Sequence, residues 1–257
     1  MNVFVKEGVT FRFAQMTDNT QCKQWVLDNF DKWEPFTFQC FRQVADSSKI
    51  AIDIGAWIGL TGIWLSKYFK HVVCVEADLL SVRALEANLI ASDCDNYTII
   101  PSAIYHTNTT LYFGPNSFRP NATLNESMSQ LKSISDKSDD YSVDTVTLAD
   151  IVGGLSIPDI GLLKVDIEGG EEHIIEDIMT FSAQHCIPVL LSFHLSWWRD
   201  QNIGRFAELF KCSTTQKINM RSDTGEQVTD MPKFIASHPF ATLFCTYEPL
   251  WPVGANE

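Results

Sequence analysis

A strand-like run, Lys49-Ile50-Ala51-Ile52-Asp53-Ile54, is cut short by Gly55, and helical spacing resumes at once through Leu60, Ile63, Trp64 and Tyr68. A second β-branched run at 71–75 then closes on Glu76. Strand, tight turn, helix and strand in that order form the unit of a parallel sheet, since parallel neighbours need a crossover and a helix supplies it. The alternation continues. Residues 79–91 repeat apolar side chains at helical intervals, 97–100, 110–113, 161–167 and 188–194 read as strands, and 171–179 reads as a helix. This predicts an α/β fold with helices on both faces of a mostly parallel sheet.

Three regions stand outside that pattern. Residues 1–45 read as a small N-terminal cap, with a hairpin over 3–13 around Glu7-Gly8 and a helix carrying Trp25, Leu27 and Phe30. The remainder, 46–257, reads as one domain large enough to bury a sizeable core. Within it, 114–142 is polar, rich in Ser and Asn and without a sustained period, so a structureless insertion is expected, either a substrate lid or merely disordered. The tail, 217–247, reads as two or three strands.

The turn between the first strand and its helix is where open α/β sheets bind nucleotides. Gly55 permits the sharp turn and Gly59 the close packing of the helix start. A dinucleotide fingerprint needs a second glycine two positions after the first, so that backbone can approach a pyrophosphate. That position is Trp57, whose indole would obstruct a diphosphate. A cofactor without phosphates is therefore expected, and S-adenosylmethionine fits: adenosine, a sulfonium cation and an amino-acid tail. Glu76, ending the second strand, is placed to accept both ribose hydroxyls, and Asp53 to face the methionine ammonium. The plainer reading is a tight turn followed by a solvated strand end.

Composition removes other classes. Nineteen basic against 32 acidic side chains give a net charge of −13, which disfavours a duplex nucleic-acid partner. No apolar tract is long enough to span a membrane, and Met1-Asn2-Val3-Phe4-Val5-Lys6 lacks the character of a secretory leader. Seven scattered cysteines with no Cys-x-x-Cys suit neither a disulfide framework nor a zinc site, so a cytoplasmic, reducing location is expected. Sequons beginning at Asn96, Asn108, Asn121 and Asn125 then read as a stretch rich in Asn, Ser and Thr rather than as glycosylated positions.

Several segments carry a family resemblance: Ala51-Ile52-Asp53-Ile54-Gly55-Ala56-Trp57-Ile58-Gly59-Leu60-Thr61, Val75-Glu76-Ala77, Ile100-Pro101-Ser102-Ala103-Ile104 and Thr145-Val146-Thr147-Leu148-Ala149-Asp150. The most specific is Leu162-Leu163-Lys164-Val165-Asp166-Ile167-Glu168-Gly169-Gly170-Glu171. Together they resemble the FkbM-type family of class I S-adenosylmethionine-dependent methyltransferases over about residues 33–195. The resemblance implies a Rossmann-like sheet, mostly parallel with an antiparallel C-terminal strand. It implies a cofactor held by Asp53, Gly55, Ala56, Trp57, Gly59, Thr61, Glu76, Ala77 and Asp166, with Ser102 and Ala103 against the adenine. It also implies O-methylation of hydroxyls on sugars or other small molecules. The departure is Trp57, where the family commonly has a small polar residue.

Methyl transfer to oxygen is an in-line displacement that must also dispose of the hydroxyl proton. Asp166 and Glu168 end one predicted strand and His194 the next, at the edge where the crevice opens. Alternation places both carboxylates on one strand face with Lys164, which could pair with either. His194 could be the general base, since imidazole titrates near neutrality. Asp166, Glu168 and His194 could instead hold a divalent metal, the less favoured option. Or Asp166 positions the cofactor, Glu168 caps the helix near Gly170, and His194 is a hydrogen-bonded strand end. Trp197-Trp198-Arg199 could stack on a sugar or pack a loop, Arg119 could meet an anionic group or lie solvated, and Glu34-Pro35-Phe36 could help close the cleft. His71, His106, His173, His185 and His238 show no ligand spacing. The rival functions are a nucleic-acid or protein methyltransferase, a nucleotide-dependent oxidoreductase, which Trp57 disfavours, and a non-catalytic cofactor-binding protein.

Overall fold

In the computed structural model, which describes residues 1–17, 19–116, 128–198, 204, 206, 208–210 and 216–249, the chain opens with β1 (Asn2–Lys6), β2 (Val9–Phe13), α1 (Thr20–Asn29) and α2 (Pro35–Val44). The alternating core follows as β3 (Ile50–Ile54), α3 (Gly62–Tyr68), β4 (His71–Val75), α4 (Leu79–Ala91) and β5 (Tyr97–Ile100). Next come β6 (Ala103–Ile104), β7 (Thr110–Gly114), β8 (Gln130–Lys132), β9 (Tyr141–Val146) and α5 (Leu148–Val152). The chain closes with β10 (Ile160–Val165), α6 (Ile175–His185), β11 (Val189–His194), β12 (Gln216–Ser222), α7 (Met231–Ser237) and β13 (Phe240–Pro249).

Seven strands form one sheet in the order β12-β13-β11-β10-β3-β4-β5. The pairs from β11 through β5 are parallel, and β13 enters antiparallel to both neighbours, as expected of the C-terminal strand. Strand alternation splits the apolar side chains between two cores. Ile52, Ile54, Leu163, Val165 and Leu191 pack with α5, α6 and α7 on one face. Ala51, Cys74, Leu162 and Leu190 pack with α2, α3, α4 and the β1–β2 hairpin on the other. Asp53 and Lys164 belong to that second face, buried between sheet and helix.

Three expectations need correction. The 114–142 segment is not structureless throughout, because β8 and the start of β9 join a four-stranded sheet, β6-β9-β7-β8, which the sequence reading did not anticipate. Phe113, Leu131 and Tyr141 supply its apolar face, and Lys132 pairs with Asp136 and Asp140 at 2.6 and 2.8 Å. The tail holds a helix, α7, between its two strands, started by the Asp230 cap and Pro232. The predicted 171–179 helix begins as a 3-10 turn over Gly170–His173 and continues as α6 to His185. Asn96, in the first sequon, donates its amide to the carbonyls of Ser66, Phe69 and Lys70, a structural task. Asn121, Asn125, Arg119 and Arg199 lie outside the described residues.

Candidate active site

The carboxyl ends of β3, β4 and β10 frame a cleft with two compartments. The wider, of about 470 Å³, is walled by α1 (Gln21, Trp25), by Trp33 and Glu34, by the 55–61 turn, and by Met128, Lys164, Asp166 and Glu168. The narrower, of about 70 Å³, runs past Glu76, Ala77, Ser102, Ala103 and the β7–β8 face at Phe113 and Leu131. Gly55, Trp57, Asp166 and Glu168 line both and form the step between them.

Backbone geometry sets that step. Gly55 has φ 82°, and a Cβ there would sit 1.8 Å from the Asp166 carbonyl oxygen, so only glycine lets β3 and β10 end so close together. Trp57 also takes a left-handed φ of 45°, and its backbone N–H donates to Glu76 Oε2 at 2.7 Å. Asp78 N–H donates to the other Glu76 oxygen at 2.8 Å. Burial pushes the Glu76 carboxyl up to about 7, against the pull of these two donors. Tyr141 Oη accepts from Leu79 N–H and donates to the Ala77 carbonyl, each at 3.1 Å, tying the small sheet to this turn.

Not every predicted cofactor residue reaches the cleft. Ala56, Trp57, Thr61, Glu76, Ala77, Ser102, Ala103 and Asp166 line it, whereas Gly59 (φ 94°) packs under Leu85. Asp53 lines neither compartment: it is fully buried, accepts from Thr61 Oγ1 at 2.6 Å and lies 3.1 Å from Lys164 Nζ. Lys164 also donates to the Gly55 carbonyl at 2.8 Å and stands 4.0 Å from Asp166. Burial would push its ammonium down, but Asp53, then Asp166 and Glu34, hold it raised. Burial, and then Asp166, raise the Glu34 carboxyl.

Asp166, Glu168 and His194 do converge. His194 Nε2 is 3.2 Å from Glu168 and 4.0 Å from Asp166. One donor atom from each lies within 4.8 Å of the others, so the trio could hold a metal ion, although the imidazole already pairs with Glu168 there. Strand alternation is not what brings Glu168 in, because β10 ends at Val165 and Glu168 sits in a left-handed turn at φ 55°. Nor does Glu168 cap a helix. Glu171 does the local capping, accepting from Ile167 and Gly169 N–H at 3.0 and 2.9 Å, and it also meets His194 Nδ1 at 3.1 Å and Trp198 Nε1 at 3.3 Å. In sequence, Glu171 is only an acidic residue near a helix start, with no sign of these partners. His194 burial works against its cation, but Glu171, then Glu168 and Asp166, outweigh it and raise the imidazole to about 10. Burial pushes Glu168 up. Trp197 lies flat on the His194 ring, 5.1 Å between centroids and 6° between planes, so both tryptophans pack inward.

A seven-stranded, mostly parallel sheet with this strand order and a glycine turn at β3 defines the class I methyltransferase fold. The chain belongs to the FkbM methyltransferase family: the model of the methyltransferase FkbM domain matches residues 53–240. No curated protein sequence matches it. Among solved structures it is similar to methyltransferase FkbM from Methylobacillus flagellatus (14% identity, 79% of this chain and 44% of that one, TM-score 0.46). It is also similar to an rRNA methylase from Streptococcus thermophilus (10%, 84% and 95%, TM-score 0.47). A third is a Streptococcus mutans protein assigned as a methyltransferase and crystallised with SAH (10%, 83% and 96%, TM-score 0.48). The chain spans less than half the length of the first of these structures. At such identities the likeness is one of fold alone.

Proposed function

We propose that this chain is an S-adenosylmethionine-dependent methyltransferase acting on a hydroxyl of a sugar or other small molecule. The observation that carries the reading is Glu76, a buried carboxylate pre-held by two backbone N–H groups on the wall of the narrow compartment. Each of its oxygens keeps a lone pair for a ribose hydroxyl. Two buried polar atoms on the same wall, Trp57 Nε1 and Ser129 Oγ, find no partner among the described residues. Buried polar groups are normally satisfied, so polar groups of a ligand are expected along this wall. Trp57 stands where a diphosphate would need backbone.

Ala77, Ser102, Ala103 and Phe113 would flank the adenine, with Gly55, Ala56, Trp57 and Thr61 leading toward the sulfonium. Glu34 and Asp166 would meet the methionine ammonium, and Lys164 its carboxylate. Asp53 would act from behind, by holding Lys164. The bound cofactor supplies an electrophilic methyl group on a sulfur cation. The protein's task is to align the acceptor hydroxyl and take its proton. Glu171, Glu168 and Asp166 favour the protonated imidazole, so Glu168, paired with His194 Nε2 at 3.2 Å, is the group we assign to accept the hydroxyl proton; burial favours its neutral form and the imidazolium opposes that. The pair would therefore act together, with His194 supporting the base rather than being it. The acidic cleft and a net charge of −13 suit a neutral or cationic acceptor, not duplex nucleic acid. A cytoplasmic setting suits the scattered cysteines: among the described residues Cys40, Cys74, Cys94 and Cys245 are buried and form no disulfide, and no helix is long and apolar enough to cross a membrane.

The test is label transfer from methyl-labelled cofactor to a panel of glycosides and polyols, with adenosylhomocysteine binding followed by calorimetry. Label on a hydroxyl, lost in Glu168→Gln while cofactor affinity is kept, is the expected result. A protein that binds no adenosylhomocysteine overturns the reading.

A further inference from the structure

The Glu171 carboxylate is fully buried and accepts four hydrogen bonds, two at each oxygen. Two come from the backbone on either side of Glu168, at Ile167 and Gly169. The others come from the end of β11 and the turn beyond it, at His194 Nδ1 and Trp198 Nε1. Glu168 and Gly169 both hold left-handed φ values, 55° and 98°, so the turn that presents the Glu168 side chain is unusual backbone held from beneath by this one carboxylate. Gln130 Nε2 fixes the same turn from above, through the Glu168 carbonyl at 3.0 Å.

We infer that Glu171 is a positioning residue for the transfer: it fixes the Nδ1 proton of His194 and the turn carrying Glu168, so that imidazole and carboxylate face the acceptor as one unit. This rests on the reading of Glu168 and His194 as the pair that meets the acceptor hydroxyl. An imidazole whose Nδ1 is committed to a buried carboxylate can offer only Nε2 to the cleft. Trp197 over the ring and the Phe240 edge at 5.7 Å remove the remaining freedom to flip. The charged groups around the imidazole are Glu171 at Nδ1, Glu168 and Asp166 at Nε2, Lys164 beyond Asp166, and Glu34 across the cleft.

The decisive measurement is histidine-resolved nitrogen NMR of the free protein at neutral pH, with neither cofactor nor acceptor present. In the wild type, His194 Nδ1 is expected to carry a slowly exchanging, hydrogen-bonded proton, and Glu171→Ala is expected to lose that signature. A wild-type His194 whose Nδ1 carries no proton overturns the inference even if the variant fails to fold, and so does an unchanged Nδ1 signature in a folded variant. On an acceptor found by label transfer, Glu171→Gln is expected to lower kcat by about 10²- to 10⁴-fold with cofactor affinity retained, and Glu171→Asp to recover part of it. The NMR measurement needs no substrate, so an unchanged signature sinks this inference alone, whereas a wild type that neither binds cofactor nor transfers label sinks the functional reading.

Discussion

Glu76 shows how a single side chain can tie chemistry to pH. Its carboxyl is pushed up to about 7 by burial, well above an exposed glutamate. If Glu76 holds the ribose as proposed, the hydroxyls would donate to its ionised form, so ligand and proton would compete and affinity would fall as pH drops through about 7. Adenosylhomocysteine titrated by calorimetry from pH 8 to 5 should weaken by at most about tenfold per unit below that point. Glu76→Gln should bind about 1–3 kcal/mol more weakly and lose the pH dependence; a wild-type affinity flat across this range would remove Glu76 from the ribose. Gly55 makes the opposite kind of demand, for space. Gly55→Ala would drive Cβ to 1.8 Å from a backbone oxygen at φ 82°, so denaturant unfolding should show a loss of about 3 kcal/mol or more. The turn at Gly55 and the place of Glu76 on the cleft wall were legible in the sequence because both follow from a local strand–turn–helix order. Glu171 was not. Its task depends on His194 and Trp198, brought beside it only by the pairing of β10 with β11.

Elements at the edge of the alternating core decide how the cleft is closed. Lys6 ends β1 yet is buried, donating to the carbonyls of Phe30, Asp31 and Trp33 at 3.0, 3.1 and 2.6 Å. The hairpin thereby fixes the loop that delivers Trp33 and Glu34 to the wide compartment. Lys6→Met would leave three carbonyls without their donor, and chemical unfolding should report a loss of about 2–4 kcal/mol. Adenosylhomocysteine binding should weaken with it; unchanged affinity would show that the loop holds its shape unaided. The hairpin was readable from Glu7-Gly8, but a lysine in an otherwise apolar alternation gives no sign that its ammonium turns inward. The small sheet was hidden for a related reason. β8 has three residues, and it pairs with β7 across a long polar stretch with no period of its own. Only Phe113 and Leu131, facing the same compartment as Ala103, reveal why it folds there.

At the scale of the whole molecule, the charge balance should separate S-adenosylmethionine from adenosylhomocysteine if the chain binds them as proposed. The chain carries −13, and three of its acidic side chains, Glu34, Asp166 and Glu168, line the wide compartment, where burial raises the Glu34 and Glu168 carboxyls. Among the described residues Lys164 is the one basic side chain on either wall, and its charge is already shared with Asp53 and Asp166. S-adenosylmethionine brings a sulfonium that adenosylhomocysteine lacks, so the field should draw in the first and be indifferent to the second. At about 0.01 M salt the field reaches roughly 30 Å, and at 1 M only about 3 Å. Stopped-flow tryptophan fluorescence should therefore show S-adenosylmethionine association slowing several-fold between those limits, with adenosylhomocysteine nearly unchanged. Equal salt dependence for the two would mean that the cleft carboxylates are neutralised before the ligand arrives. With the predicted difference, the sulfonium's disappearance during transfer itself weakens the hold on the product, and the acidity of the fold becomes part of turnover.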